Sequence, residues 1–341
     1  MIDSNEVLLS IIVPVYGVEK YINDCAASIF EQSIFRGSNE LSSNVEIIFV
    51  DDCSKDNSIS ILRKLINKYP IQREFTQILT YDQNRGLAGA RKFGLENALG
   101  KYVLQVDSDD YLQHDMISVM LSKAIKEDAD IVMCDLNVIR GDEAFHEAFH
   151  PNSSSKELMK QIINGEIHAS VCNKLIRRSL YTMNGISPTP GLNMYEDFSV
   201  MYKLVFFSQK NVHIPEPYYC YRKREASYTT SIFSKSVQEN IISIIKQMDN
   251  FFLANGIKDN ALNLSRCYYK AFAKIEIMIR GNPTELNSDL FSEVKLKHIL
   301  FHPNITKKRK LLGLCTYFNF RLINRFVAFI VKQIDLKRFG K

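Results

Sequence analysis

No CxxC pair occurs in this sequence, and its seven cysteines (Cys25, Cys53, Cys134, Cys172, Cys220, Cys267 and Cys315) are scattered and odd in number. That pattern argues against a zinc ribbon and against a disulfide framework, and it fits a reducing cytoplasm. No uninterrupted apolar run is long enough to span a bilayer. The N-terminus, MIDSNEVLLSIIVPVY, lacks the basic region of a secretory signal, and its short apolar run stops at Pro14 as a first strand does. GxGxxG is missing, as is GxxxxGK followed by Ser or Thr, so neither a dinucleotide fold nor a P-loop NTPase is indicated. Disorder is excluded as well. With 341 residues, 46% hydrophobic and 24% charged, the chain can bury a real core as one large domain or a domain plus an extension.

The net charge of +5 is unevenly spread. Residues 301–341 hold ten Lys or Arg against one acid, Asp335, which leaves 33 basic against 37 acidic residues before them. The basic character belongs to the tail, so the body carries no nucleic-acid footprint.

What is concentrated is carboxylate, at one point. In Lys101–Leu112, KYVLQVDSDDYL, a buried-strand run stops at Asp107, Asp109 and Asp110. Adjacent carboxylates at a strand end repel and lose hydration unless a cation or ligand donors offset the cost. Oxygen ligands suit Mg²⁺ or Mn²⁺, and Mg²⁺ uses few protein carboxylates, leaving substrate phosphates to complete the shell. The stretch therefore reads as a metal-diphosphate site. Capping of the next helix by Asp-Ser-Asp-Asp is the plainer alternative.

The neighbouring segments share one pattern. Leu8–Val13 reads as a strand, followed by the exit loop Pro14-Val15-Tyr16-Gly17 and a helix over 19–32. Val45–Val50 is a second strand, ending in Asp51-Asp52. A third, 75–81, leads into Asn84–Arg91 and a helix ending near Gly100. The opening stretch is the fourth, and Ala129–Leu136 the fifth. Strands alternating with helices predict a parallel sheet with helices on both faces, whose functional residues follow the strand ends.

Together SIIVPVYGVEKYINDCAASI, EIIFVDDCSKDNS, NRGLAGARKFGLENALGKYVLQVDSDDYL and MYEDFSVMYKL resemble the family 2 glycosyltransferases, inverting enzymes of the GT-A fold, over about Leu8 to Tyr228. The resemblance implies an α/β, Rossmann-like, mostly parallel sheet with a helical C-terminal extension. It implies a nucleotide site formed by Pro14, Tyr16, Asp51, Asp52, Gly86, Arg91 and Asp107, with Asp52 on uracil and Asp107 toward the ribose. It puts Asp109 on the metal, Mn²⁺ or Mg²⁺, that bridges the diphosphate. Gly17 stands where the family most often has Asn, and Lys92 where Asn commonly follows the Arg.

Sugar transfer needs the leaving phosphate neutralised and a proton taken from the acceptor hydroxyl. Glu196-Asp197 opens an apolar-spaced helix whose N-terminus favours ionised acids. By resemblance to the family's acidic pair, Asp197 is the base and Glu196 its acceptor-side support; plain helix capping is the alternative. The loop 182–193 before it reads as a lid. Lys174, in a segment resembling an acceptor-side element, is a second candidate support, with a solvated helix face as the alternative. Arg222 and Arg224 are candidates for the diphosphate, and His213 is left out of the metal site as structural.

The expected organisation is a catalytic domain over 1–230, a helical extension over 231–300 and a basic amphipathic helix over 301–341. Lys307-Lys308-Arg309-Lys310 precedes an aromatic-rich apolar stretch, which fits an interfacial helix on anionic lipid, each charge contributing on the order of 1 kcal/mol. A helix docked on its own core or in a homodimer is the alternative. The expected activity is metal-dependent, inverting hexosyl transfer from a UDP-sugar to a lipid-linked glycan, for surface polysaccharide or lipopolysaccharide, on the inner face of the cytoplasmic membrane. A nucleotidyltransferase would need a basic, Gly-rich triphosphate loop that IIVPVYGVEKY does not supply. An idle glycan-binding scaffold would have lost its acids, and Asp109 and Asp197 are both present.

Overall fold

The structure, a computed structural model, describes residues 6–36, 44–192, 194–223, 234–280 and 291–317. Contacts divide the chain into two compact units, residues 1–158 with 169–224, and residues 159–168 with 225–341.

The first unit opens with β1 (Leu9–Val15), α1 (Ile22–Phe30) and β2 (Val45–Asp51). Both strands are almost wholly buried, as continuous apolar runs are when helices cover a parallel sheet. Then come α2 (Ser58–Ile66), the single turn α3 (Pro70–Arg73), β3 (Thr76–Thr80), α4 (Gly86–Asn97) and β4 (Tyr102–Gln105). β1 pairs in parallel with β2 and β4, and β2 with β3. Val15, Asp51 and Thr80 are in register, so these strand ends open on one edge. β1 runs through Pro14, which the sequence places in the exit loop; Pro14 lies beyond Ile12, the last residue β4 pairs. Two glycines set the packing distance. A Cβ at Gly94 would lie 2.3 Å from Ile12 Cγ2, and one at Gly100 would lie 2.5 Å from the Ser10 backbone nitrogen.

The chain continues through β5 (Tyr111–Leu112), α5 (Met116–Glu127), β6 (Ile131–Arg140), β7 (Glu143–Glu147), α6 (Ser155–Ile163), whose residues from Met159 count with the second unit, β8 (Lys174–Arg177), α7 (Arg178–Met183), α8 (Glu196–Phe207) and β9 (Asn211–Arg222). The sheet order is β3-β2-β1-β4-β8-β6-β9-β5, with β7 added to β6. The expected fifth parallel strand is thus separated from β4 by β8, which runs antiparallel to both β4 and β6. Only the stretch from β3 to β4 is wound in parallel throughout; the remainder is mixed.

The second unit is helical: α9 (Lys235–Ala254), α10 (Asn260–Arg280), α11 (Leu296–Leu300) and α12 (Lys307–Tyr317). Ser234 caps α9 by accepting from the Val237 amide at 3.3 Å. Lys270, 3% exposed, pairs with Asp249 at 2.7 Å and Glu293 at 3.1 Å, which compensates its burial. Among the described residues no helix is long and apolar enough to cross a membrane. The tail expected to form the interfacial helix lies, from residue 318, outside the described residues.

Candidate active site

Arg91 is the geometric centre of the carboxylates. It sits on α4 with its side chain 2% exposed and reaches three acids from two distant segments. Its Nη2 donates to Asp107 Oδ1 at 2.7 Å; its Nη1 donates to Glu196 Oε1 at 3.0 Å and to Asp197 Oδ1. The end of β4 and the first turn of α8 are brought together by one guanidinium, although Asp107 and Glu196 lie 89 positions apart in the chain.

Burial sets the protonation here. Glu196 is pushed up to about 8, first by burial and then by Asp197. Asp197 is raised as well, by burial, with Asp107 adding to it and Arg91 opposing. The sequence predicts that the helix N-terminus keeps both acids ionised; loss of water instead shifts both upward, Glu196 to about 8. Burial alone would lower Arg91, but Asp197, Asp107 and Glu196 outweigh it and hold the guanidinium charged.

Asp110 has a separate role. At 1% exposure it accepts from the Tyr219 hydroxyl at 2.8 Å and from the Arg222 amide at 2.7 Å. The Tyr219 oxygen in turn accepts from the Asp107 amide at 3.1 Å, so β9 holds the turn 107–110 from beneath. Nothing in the sequence marks Tyr219 for this, although the third carboxylate of DSDD is a visible hint. Arg222 brings its backbone, not its guanidinium, to the acids. That guanidinium pairs with Asp24 at 2.8 Å and lies over the Tyr111 ring at 4.7 Å, so its diphosphate role is not supported by the geometry. Arg224 lies outside the described residues.

Asp109, partly exposed, brings hard carboxylate oxygen to this turn. Among the described residues no three His, Cys, Asp or Glu side chains are grouped to hold a metal. The nearby Cys25 thiol, pushed up by burial and then by Asp110, Asp109 and Asp107, stays neutral and does not compete. Such a donor set fits Mg²⁺ or Mn²⁺ shared with a diphosphate.

At the ends of β1 and β2, Tyr16 is 48% exposed. Asp51, 8% exposed, accepts from the Ser54 amide at 2.9 Å. Asp52 is 2% exposed and takes the Arg85 amide at 2.6 Å and the Gly86 amide at 2.8 Å, so both its oxygens anchor the start of α4. Gly86, at φ +74°, and Gly17, at φ +65°, are left-handed. Asn also tolerates that conformation, which accounts for Gly17 standing in the family's Asn position. Lys92 faces away, paired with Glu96 at 3.8 Å and 39% exposed.

Lys174 is not on a solvated helix face. It begins β8 at 1% exposure, because the four-residue KLIR strand fills the gap between β4 and β6. His213 and His146 each hydrogen-bond Asp135 at 2.7 Å, which makes His213 structural. The expected lid begins inside α7, and within it Ile186 and Leu192 are buried while Met183 is exposed.

The sequence profile of the family described as Glycosyl transferase family 2 matches residues 10–182. Glycosyltransferase GlyG of Streptococcus pneumoniae serotype 4 is 26% identical over 271 residues, covering 75% of this chain and 84% of that one. Poly(ribitol-phosphate) beta-N-acetylglucosaminyltransferase TarS of Staphylococcus aureus is 26% identical over 226 residues, covering 66% of this chain and 37% of that one. The crystal structure of S. aureus TarS 1-349 in complex with UDP-GlcNAc superposes with a TM-score of 0.62 at 20% identity, covering 98% of this chain and 92% of that one, which shows a shared GT-A fold. With its two acidic motifs gathered on Arg91 and its profile match spanning half its length, the chain belongs to the family 2 glycosyltransferases.

Proposed function

We propose that the protein is an inverting transferase that moves a sugar from a UDP-sugar to a hydroxyl of a lipid-linked glycan, in surface-polysaccharide synthesis. The observation that carries this reading is the Arg91 cluster, which joins the strand-end acid Asp107 to the helix-start acids Glu196 and Asp197. The UDP-GlcNAc and UDP complexes of S. aureus TarS support a uridine donor.

Asp197 accepts the proton of the acceptor hydroxyl as its oxygen bonds to the anomeric carbon and the bond to the diphosphate breaks on the opposite face. Glu196, raised to about 8, keeps its proton near neutrality and leaves the negative charge of the pair on Asp197. Arg91 orients that carboxylate. Asp109 would hold Mg²⁺ or Mn²⁺, which when bound neutralises charge on the departing UDP. Asp51, Tyr16 and the Asp52–Gly86 loop form the rim against which uracil stacks or bonds. The basic tail rests on anionic lipid at the inner face of the cytoplasmic membrane, where a lipid-linked acceptor is presented.

UDP release from UDP-glucose, UDP-galactose, UDP-N-acetylglucosamine and UDP-N-acetylgalactosamine with Mn²⁺ or Mg²⁺ tests the reading. One donor is hydrolysed slowly by the wild type, and that activity disappears with EDTA, in Asp109→Asn and in Asp197→Asn. If no donor is bound or turned over, even with membrane extract as acceptor, an idle scaffold replaces the enzyme.

A further inference from the structure

Lys174 buries an ammonium beneath the turn of residues 170–173. Its Nζ donates to the Ser170 carbonyl at 2.6 Å and to Asn173 Oδ1 at 2.8 Å. The Ser170 hydroxyl donates to the same Asn173 oxygen at 3.1 Å. From outside, the Asn173 amide donates to the Cys134 carbonyl at 2.6 Å, and the Cys134 N–H donates to the Asn173 carbonyl at 3.0 Å, which ties the turn to β6. At the middle of this turn the Val171 N–H donates to Asp197 Oδ2 at 3.2 Å. Arg91 holds the other oxygen, Oδ1. Burying a cation on a strand that reads KLIR is costly, and its amine is lowered to about 8 by that burial. The position is explained if the turn must be held still.

We propose that Lys174 is a positioning residue for the general base: it fixes the turn so that the Val171 N–H occupies one oxygen of Asp197, keeping that carboxylate ionised and oriented toward the acceptor hydroxyl. The proposal rests on the reading of Asp197 as the base. Around Asp197 stand Arg91 from α4, Asp107 at the end of β4, Glu196 on α8, Tyr181 on α7, and Cys172 and Lys174 from the turn and β8. Arg91 and Lys174 favour its charged form, while Asp107 and Glu196 disfavour it. Burial pushes the Cys172 thiol and the Tyr181 phenol up, so both stay neutral.

The test compares UDP release by wild type, Lys174→Met, Leu175→Ala and Asp197→Asn across pH, using whichever of the four UDP-sugars the wild type turns over. Lys174→Met removes a cation and the anchor of an N–H donor, so the acid limb of its kcat profile moves to higher pH. Its kcat falls about tenfold or more, while KM for the donor stays within about twofold. Leu175→Ala, in the adjacent core position of β8, lowers the melting temperature and leaves the limb in place. Lys174→Gln, which keeps one donor, shows a smaller shift in the same direction and serves if Lys174→Met does not fold. An unmoved limb in a folded Lys174 variant overturns this proposal alone. Activity retained in Asp197→Asn overturns the base assignment and this proposal with it, and a wild type inactive on every donor overturns both.

Discussion

Arg91 compensates more charge than any neighbour at the site, since three carboxylates with side-chain exposures of 27%, 12% and 22% share its guanidinium. Removing one partner of a buried ion cluster leaves the rest unpaired at a cost of about 3–5 kcal/mol. Arg91→Met is therefore expected to melt well below the wild type, and the gap should depend on pH in a fixed sense. Glu196 and Asp197 already have raised pKa values in the folded state, and losing Arg91 raises them further. A carboxyl with a raised folded pKa stabilises the fold below its unfolded value and loses that contribution as pH rises through the folded value. The difference in melting temperature should be smallest near pH 4.5 and widen toward pH 8; calorimetry at several pH values checks this, and a constant gap would show that the carboxylates are not coupled through Arg91. At this scale the acids were legible in the sequence because acidic side chains after a buried run have few uses. Lys174 was singled out as a candidate support, but its burial was not legible, because a buried strand of four residues is too short to show a period. Asp52 was legible as important but not as a backbone anchor, since its partners are amides that every residue carries.

At the scale of elements, the working edge exists because the parallel strands β1, β2 and β3 end in register and β4 stops beside them. That half was readable from alternation of buried runs and helices. The mixed half was not. The two-residue strand β5 leaves no sequence signal, yet it pairs Tyr111 with Cys220 and Leu112 with Tyr219 and so brings β9 under the acidic turn. The functional consequence passes through one hydroxyl, which joins the Asp107 amide to the Asp110 carboxylate. Tyr219→Phe keeps the ring, which is fully buried, and deletes only that link. Each buried group left unsatisfied costs about 1–3 kcal/mol. The variant should fold with a lowered melting temperature and bind UDP with Mn²⁺ more weakly, because the turn carrying Asp109 loses its support; calorimetric titration of UDP in the presence of Mn²⁺ measures this. Unchanged affinity would mean that the turn is held by its own backbone, through the Asp110 amide to the Asp107 carbonyl at 3.0 Å.

For the whole molecule the charge partition is the feature that composition alone conceals. Ten of the 43 basic residues lie in the last 41 positions, with a single acid among them. Part of this charge is used internally, since Arg309 pairs with Glu276 at 3.3 Å. Lys307 and Lys310 at the start of α12 have no such partner among the described ion pairs, and Phe301 and Leu311 nearby are 72% and 63% exposed. Cations beside exposed apolar side chains are what an anionic bilayer surface attracts, each cation contributing about 1 kcal/mol at low salt. Reversing both charges, Lys307→Glu with Lys310→Glu, converts attraction to repulsion at two positions, so binding to phosphatidylglycerol vesicles should weaken by about tenfold or more. Sedimentation with such vesicles, with phosphatidylcholine vesicles, and with phosphatidylglycerol at high salt separates the outcomes. The wild type should bind only the first, because screening shortens the reach of the surface charge. Equal binding of wild type and double variant would assign the tail to a protein contact instead, and UDP release from the soluble donor should be the same in both, since neither lysine belongs to the carboxylate cluster.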